Sequence, residues 1–294
     1  MGEGSERLRR AGSETARLDA ELLLGRVLGI DRTGVLAHPE APLGNGQVAA
    51  YEEALGRRVA GEPVAYIRGT KEFYGLSFAV DRRALIPRPE TELLVEVALA
   101  RIVAVLTGAP RPRGSPPLRV VDVGTGCGAI AVALAVALRR RGFIGEVAIV
   151  ATDRSAEALG LALENAVAHA VADVVRVRQS DLLGPELVTD GRFQVVAANL
   201  PYVPSEQLPA LPIAASFEPA GALDGGPDGL AVVRRLLGEL PRALDAAGTA
   251  LLEIGADQAD ALRAAASDAL SGWSVEIYPD LAGRPRLAEL RPPR

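Results

Sequence analysis

Residues 120–135 read VVDVGTGCGAIAVALA. The run opens on a β-type apolar stretch, passes through glycines at 124, 126 and 128, and continues as an unbroken apolar helix pattern. Glycine lets a backbone turn tightly and approach a ligand closely. The start of the following helix offers free N–H groups and positive potential, which suits a carboxylate or a phosphate. Gly124, Gly126 and Ala129 also spell the G-x-G-x-x-A pattern of dinucleotide sites. The loop alone therefore defines an anion-binding strand–turn–helix and leaves its ligand open.

Outward from this stretch the chain alternates. Strand-like runs fall at 118–123, 146–152, 174–179, 193–198, 249–254, 273–278 and 286–290. Helical patterns at 129–141, 155–170 and 228–246, and a short connection near 182–190, separate the first five. Such alternation predicts an α/β fold, a doubly wound and mostly parallel sheet. The last two strands are joined only by PDLAGRP, too short for a parallel crossover, so they form an antiparallel hairpin. A seven-stranded sheet of this plan is similar to that of methyltransferases using S-adenosylmethionine.

Asp153 ends the second of these strands at the same sheet edge as the glycine loop. A carboxylate there can accept hydrogen bonds from both hydroxyls of a ribose. Its distance from Gly124 exceeds the roughly 20 residues of the dinucleotide fingerprint. Ser155 reads as the N-cap of the next helix, so a plain turn role for Asp153 stays open. Asp181 ends the third strand in the same way, either facing an adenine or as an ordinary turn aspartate.

Upstream, residues 6–60 read as helices. ARLDAELLLGRVLGI, 16–30, sets Leu18, Leu22, Leu23 and Val27 on one face, with Gly29 as the stop. QVAAYEEALGRRVAG, 47–61, is a second amphipathic helix after the loop HPEAPLGNG. EFYGLSFAV, 72–80, and RRALI, 82–86, predict a β-hairpin turning near Asp81. PRPETELLVEVALARIVAVL opens with proline and acidic residues, as a helix start does, and TGAPRPRGSPP, 107–117, is a loop. The expected organisation is a helical N-terminal domain over 1–70, a β-hairpin and linker over 71–90, and a Rossmann-like domain over 91–294.

Composition narrows the partners. The 294 residues carry a formal charge of −5 and no long basic run. Arg139–Arg141 suit a helix C-terminus, so nothing calls for direct nucleic-acid contact. Cys127 is the single cysteine, which excludes an internal disulfide and fits a reducing compartment. It reads as a small filler. His38 and His169 have no clustered ligands, so no metal is expected. No apolar stretch reaches the roughly 18 residues of a membrane span, and no signal-type apolar core follows MGEGSERLRR. A cytoplasmic monomer is the expectation.

The fourth strand ends in ANLPYVPS, 198–205, beside the glycine loop in a doubly wound sheet. Asn-x-Pro-Tyr there resembles the signature of methyltransferases acting on planar nitrogens. Residues 72–96, EPAGALDGGPDGL at 218–230, LLEIGADQ at 251–258 and DLAGRPR at 280–286 together resemble the release-factor glutamine N5-methyltransferase family, over a span from about Arg17 to Leu290.

The resemblance implies S-adenosyl-L-methionine as cofactor, and as substrate the glutamine of the Gly-Gly-Gln motif in peptide-chain release factors. It implies cofactor contacts at Gly124, Thr125, Gly126, Cys127, Gly128, Asp153, Asp181, Leu182 and Asn199. The Asn199 side-chain oxygen and the Leu200 carbonyl would hold the substrate amide, with Pro201 and Tyr202 completing the catalytic and substrate site. Leu200 departs from the family's usual proline and removes a restraint that proline places on the preceding residue. In IPRPETE, 86–92, Arg88, Glu90 and Thr91 either line the cofactor mouth or serve only to cap a helix, and Glu218 is a candidate partner for Arg88. Two enzyme alternatives share these motifs: a glutamine methyltransferase of a large-subunit ribosomal protein, and an adenine-N6 methyltransferase of nucleic acid. The acidic charge stands against the second. A cofactor-binding scaffold without catalysis is a third alternative, against which the intact Asn199, Pro201 and Tyr202 argue.

Overall fold

In the computed structural model, residues 2–108, 112 and 114–293 are described. The first helices are α1 (Gly2–Arg10), α2 (Ala16–Leu28), α3 (Arg32–Ala37), α4 (Asn45–Val59) and α5 (Val64–Arg68). They enclose a small core of their own, with Leu8, Ala20, Leu23, Tyr51, Leu55 and Ile67 at its centre. Gly29 ends α2 in the left-handed conformation, as the sequence predicts.

The buried face of α2 differs from the expected one. Ala16, Ala20, Leu23 and Leu24 point inward, whereas Leu18 is 39% exposed. The helix is apolar around much of its circumference, so period alone does not choose its face. Buried acids do. Asp19 meets Arg58 at 2.8 Å, and Glu21 meets Arg17 at 2.8 Å and Arg32 at 2.7 Å. Buried charges need such partners, and the pairs with Arg58 and Arg32, which lie outside α2, favour this rotation of the helix.

The hairpin also turns elsewhere than expected. Strands β1 (Thr70–Phe73) and β2 (Leu76–Ala79) pair antiparallel with Phe73 opposite Leu76, so the turn is Tyr74-Gly75. Both turn residues have positive φ, 53° and 67°, the requirement of a two-residue turn matched to strand twist. RRALI pairs with neither strand. It runs as a linker into α6 (Glu92–Gly108), whose approach begins with Pro89 in a short 3-10 turn. Of the loop expected at 107–117, residues 109–111 and 113 lie outside the described residues.

The remainder follows the alternation: β3 (Leu118–Val123), α7 (Ala129–Arg140), β4 (Val147–Asp153), α8 (Ala156–Ala168), β5 (Val175–Gln179), β6 (Phe193–Ala198), α9 (Ala231–Ala243), β7 (Leu244–Glu253), α10 (Ala259–Ala269), β8 (Ser274–Pro279) and β9 (Pro285–Arg291). Sheet order is β5-β4-β3-β6-β7-β9-β8. The first five strands run parallel, and β9 slots between β7 and β8 antiparallel to both. Alternate strand residues feed two cores. Val120, Val195 and Ala197 join the side of α6, α7 and α8, while Val121, Val196 and Ala198 join the side of α9 and α10.

The chain proceeds from β3 outward to β5, then returns to the other side of β3 with β6. Strand order reverses at the β3/β6 boundary, the place where open α/β sheets bind ligands. This reversal sets the glycine loop and the ANLPY segment side by side. No helix among the described residues is long and apolar enough to cross a membrane.

Candidate active site

A cavity of about 350 Å³ opens over the carboxyl ends of β3, β4 and β6. It falls in the size range of small-molecule sites. Gly124, Thr125, Gly126, Cys127, Asp153 and Asp181 line it, as do Leu182, Asn199, Leu200 and Pro201. Of the expected residues, Gly128 and Tyr202 are not on its wall.

The glycine loop is held from beneath. Thr125 donates its backbone N–H to the Thr152 carbonyl at 2.8 Å, and its hydroxyl to Asp122 Oδ2 at 2.6 Å. The same Asp122 oxygen accepts the Ala131 N–H in the first turn of α7. Asp122 is wholly buried, its Oδ1 has no partner, and burial pushes its carboxyl up to about 7. In the sequence Asp122 is marked only as one acid inside an apolar strand. Gly128 takes a φ of 83° at the N-cap of α7, and a Cβ there would lie 3.1 Å from Ala162. Its role is close helix packing. Asn165 on α8 donates to the Cys127 carbonyl at 2.8 Å and exchanges hydrogen bonds with Ala79, tying the loop to β2. Burial pushes the Cys127 thiol up to about 12, which leaves it inert as a nucleophile.

Asp153 accepts the Gly126 N–H on one oxygen at 3.0 Å and the Ser155 N–H on the other at 2.9 Å. Each oxygen keeps a lone pair for a ligand hydroxyl. Ser155 caps α8 by accepting from the Ala158 N–H, as its position in the sequence predicts. Asp181 meets Arg235 of α9 at 2.5 Å. These residues suit a nucleoside-bearing cofactor: a glycine backbone that a ligand can approach closely, the Asp153 carboxylate beside it and an apolar wall that includes Leu182 and Ile130.

Across the loop, Asn199 donates its Nδ2 to the Thr91 hydroxyl at 3.0 Å. Leu200 turns its side chain into the core, so that a Cβ on Gly124 would come within 3.1 Å of Leu200 Cδ2. The Tyr202 ring is half-buried off the cavity wall, and its carbonyl accepts from Gln258 Nε2 at 2.9 Å. Val203 is bonded to Leu223 and Gly225 through the backbone, which straps this segment to the loop 218–230. A Cβ on Gly229 would lie 2.3 Å from the Tyr202 carbonyl oxygen, so that loop passes directly beneath.

The linker forms the opposite wall. Arg88 meets Glu218 at 2.5 Å, and the second Glu218 oxygen accepts the Ile86 N–H at 3.0 Å. The expected Arg88–Glu218 pairing is therefore present, and Arg88 and Thr91 both line the cavity. Glu253, at the end of β7, is buried with no hydrogen-bond partner on either oxygen, and burial pushes its carboxyl up to about 7. In the sequence it too is marked only as one acid inside an apolar strand. Among the described residues no cluster of histidine, cysteine or acidic side chains could hold a metal ion.

Residues 1–69 match the family described as PrmC N-terminal domain, and residues 112–218 match the family described as Methyltransferase small domain. The chain is 38% identical over 286 residues to a release factor glutamine methyltransferase of Moorella thermoacetica, covering 97% of this chain and 95% of that one. It is 37% identical over 291 residues to the protein of the same name from Deinococcus radiodurans, covering 99% and 96%. Among solved structures, the hMettl16 catalytic domain in complex with MAT2A 3'UTR hairpin 1 is similar in fold, with a TM-score of 0.57 at 14% identity over 82% of this chain and 80% of that one. The N-terminal domain of human METTL16 in complex with SAH is similar with a TM-score of 0.50 at 15% identity, over 74% and 76%.

Proposed function

Because the chain belongs to the release factor glutamine methyltransferase family, we propose that it transfers a methyl group from S-adenosyl-L-methionine to the side-chain amide nitrogen, N5, of the glutamine in the Gly-Gly-Gln motif of peptide-chain release factors. The observation that carries this reading is the adjacency of Asn199 and Leu200 to the glycine loop at the strand-order reversal. The cofactor, when bound, supplies an electrophilic methyl group on a sulfonium whose leaving thioether is neutral. Every other contribution comes from the chain.

An amide nitrogen is a weak nucleophile because its lone pair is delocalised into the carbonyl. Two acceptors that take its two N–H bonds hold the nitrogen in one place and aim its lone pair. The Asn199 Oδ1 and the Leu200 carbonyl are the two acceptors in this reading, with Pro201 fixing the backbone between them and Tyr202. Catalysis is then chiefly positioning, an effect worth up to roughly 7–11 kcal/mol in intramolecular models. The Asp153 carboxylate would hold the ribose, the glycine loop 124–128 the amino-acid end of the cofactor, and Asp181 with Leu182 the adenine edge.

Incubating the purified chain with labelled cofactor and either release factor or ribosomes tests the assignment. Label should appear in the release factor and not in one whose Gly-Gly-Gln glutamine is replaced by alanine. Label in the alanine variant, or only in ribosomal protein, would overturn the substrate.

The helices of residues 1–70 serve in this reading as the docking surface for the protein substrate, since one glutamine must be chosen by contacts remote from the chemistry. Residues 71–90 join that surface to the methyltransferase domain over 91–294. A chain lacking residues 1–70 should still bind cofactor yet lose transfer to the release factor; undiminished transfer would remove the docking role. We further read the protein as cytoplasmic, acting without direct nucleic-acid contact, and as a monomer, a state that light scattering of the purified chain would check.

A further inference from the structure

With Asn199 read as the acceptor for the substrate amide, the direction of its own side chain becomes decisive, because only the oxygen can accept. Its Nδ2 donates to the Thr91 hydroxyl at 3.0 Å. A hydroxyl carries a single proton and can both donate and accept. If Thr91 gave that proton to Asn199, the amide would be turned over and would present NH₂ to the cavity. Something must therefore claim the Thr91 proton.

Glu253 stands where it can. Ala198 pairs with Leu252 across β6 and β7, so Asn199 and Glu253 follow one another at the same sheet edge. The Glu253 residue is 2% exposed, and neither carboxyl oxygen has a hydrogen-bond partner. The Thr91 hydroxyl is the neighbour that most favours its charge. Arg286 on β9 and Arg88 ahead of α6 favour its charge from further off, Glu90 opposes it, and Tyr202 shares the pocket. A buried carboxylate without a donor is costly, and the Thr91 hydroxyl is the side chain that most favours its charge.

We propose that Thr91 and Glu253 are positioning residues: the ionised Glu253 accepts a hydrogen bond from the Thr91 hydroxyl, which obliges Asn199 to turn its NH₂ toward Thr91 and its oxygen toward the substrate. Protonation of Glu253 reverses the arrangement. Its carboxyl then donates a hydrogen bond to Thr91 Oγ1, the Thr91 hydroxyl turns to the Asn199 oxygen, and the acceptor is lost from the cavity. Burial brings this titration to about 7.

Single-turnover methyl transfer at saturating cofactor and release factor, followed from about pH 6 to pH 8.5, tests the device. The natural chain should lose about tenfold in rate between pH 8 and pH 6. Thr91→Val should lose about 30-fold or more at pH 8, with cofactor affinity and KM within about threefold, and Thr91→Ser should restore most of that loss. Glu253→Gln should be slower at pH 8 and flat across the range. Asp122 titrates in the same range beneath the glycine loop, so Asp122→Asn is the control and should retain the acidic limb. Natural rates in Thr91→Val, or an acidic limb that survives in Glu253→Gln, would overturn the proposal. If Asn199→Ala is inactive while Thr91→Val is active, the positioning role alone fails. If Asn199→Ala is itself active, the reading of Asn199 as acceptor fails with it.

Discussion

The carboxylate of Asp153 accepts the Gly126 backbone N–H at 3.0 Å, so the end of β4 and the turn after β3 form one rigid wall. The residue proposed to hold the ribose also holds the loop that would receive the rest of the cofactor. Asp153→Ala should therefore weaken cofactor binding by roughly 1.5–3 kcal/mol, the loss expected of a hydrogen bond to a charged group. Calorimetry with S-adenosylhomocysteine measures this, and unchanged affinity would remove Asp153 from the site.

Asn199→Ala removes the side-chain acceptor and leaves the Leu200 carbonyl in place. Held from one side only, the substrate nitrogen can rotate away from the methyl group. The single-turnover rate should fall at least about 100-fold, equivalent to about 2.7 kcal/mol of transition-state stabilisation. Cofactor affinity should move far less. Asn199→Asp should not rescue the rate, because its charge would stabilise the ground-state sulfonium.

Gly124 combines a φ of 72° with close approach to Leu200. Gly124→Ala places a side chain in the left-handed region and sets its Cβ 3.1 Å from Leu200 Cδ2. We expect a loss of about 1–2 kcal/mol in denaturant unfolding from the backbone alone. Adding Leu200→Ala relieves the contact but not the backbone strain, so the double variant should remain less stable than Leu200→Ala.

Asp122 should make stability depend on pH. Its folded-state carboxyl lies at about 7, above the usual 3.8. A raised value means that the folded state binds the proton more tightly, so the contribution is complete below about pH 4 and is lost as pH rises through 7. Glu253, raised from 4.5 to about 7, acts in the same direction. The carboxyls lowered by arginine partners, such as Asp81 and Glu62, titrate below this window. The natural chain should unfold at lower denaturant at pH 8 than at pH 5. Asp122→Asn should shrink that difference, and adding Glu253→Gln should shrink it further. Equal pH dependence in the natural chain and both variants would count against the assignment.

Periodicity and glycine placement were enough to read the sheet. Runs of β-branched residues separated by helical patterns admit one economical architecture, and the seven-residue spacing before the last strand leaves no room for a crossover. The hairpin turns inside EFYGLSFAV and not near Asp81, because Tyr74 takes a positive φ beside Gly75, which the local pattern does not encode. The face of α2 was misjudged because apolar residues surround that helix, and the choice fell to the buried pairs of Asp19 and Glu21.

By itself, then, the sequence determined which segments become strands and helices and which strand ends carry Gly124, Asp153 and Asn199, since those follow from local spacing along the chain. Tertiary structure alone decided what stands across from them. Thr91 lies 108 residues from Asn199, and Glu218 lies 130 from Arg88. No local pattern encodes such pairings, because they arise where the linker folds back over the sheet. The acids Asp122 and Glu253 look like blemishes in apolar strands until burial removes their water, and what they do then depends on which donors the fold brings within reach.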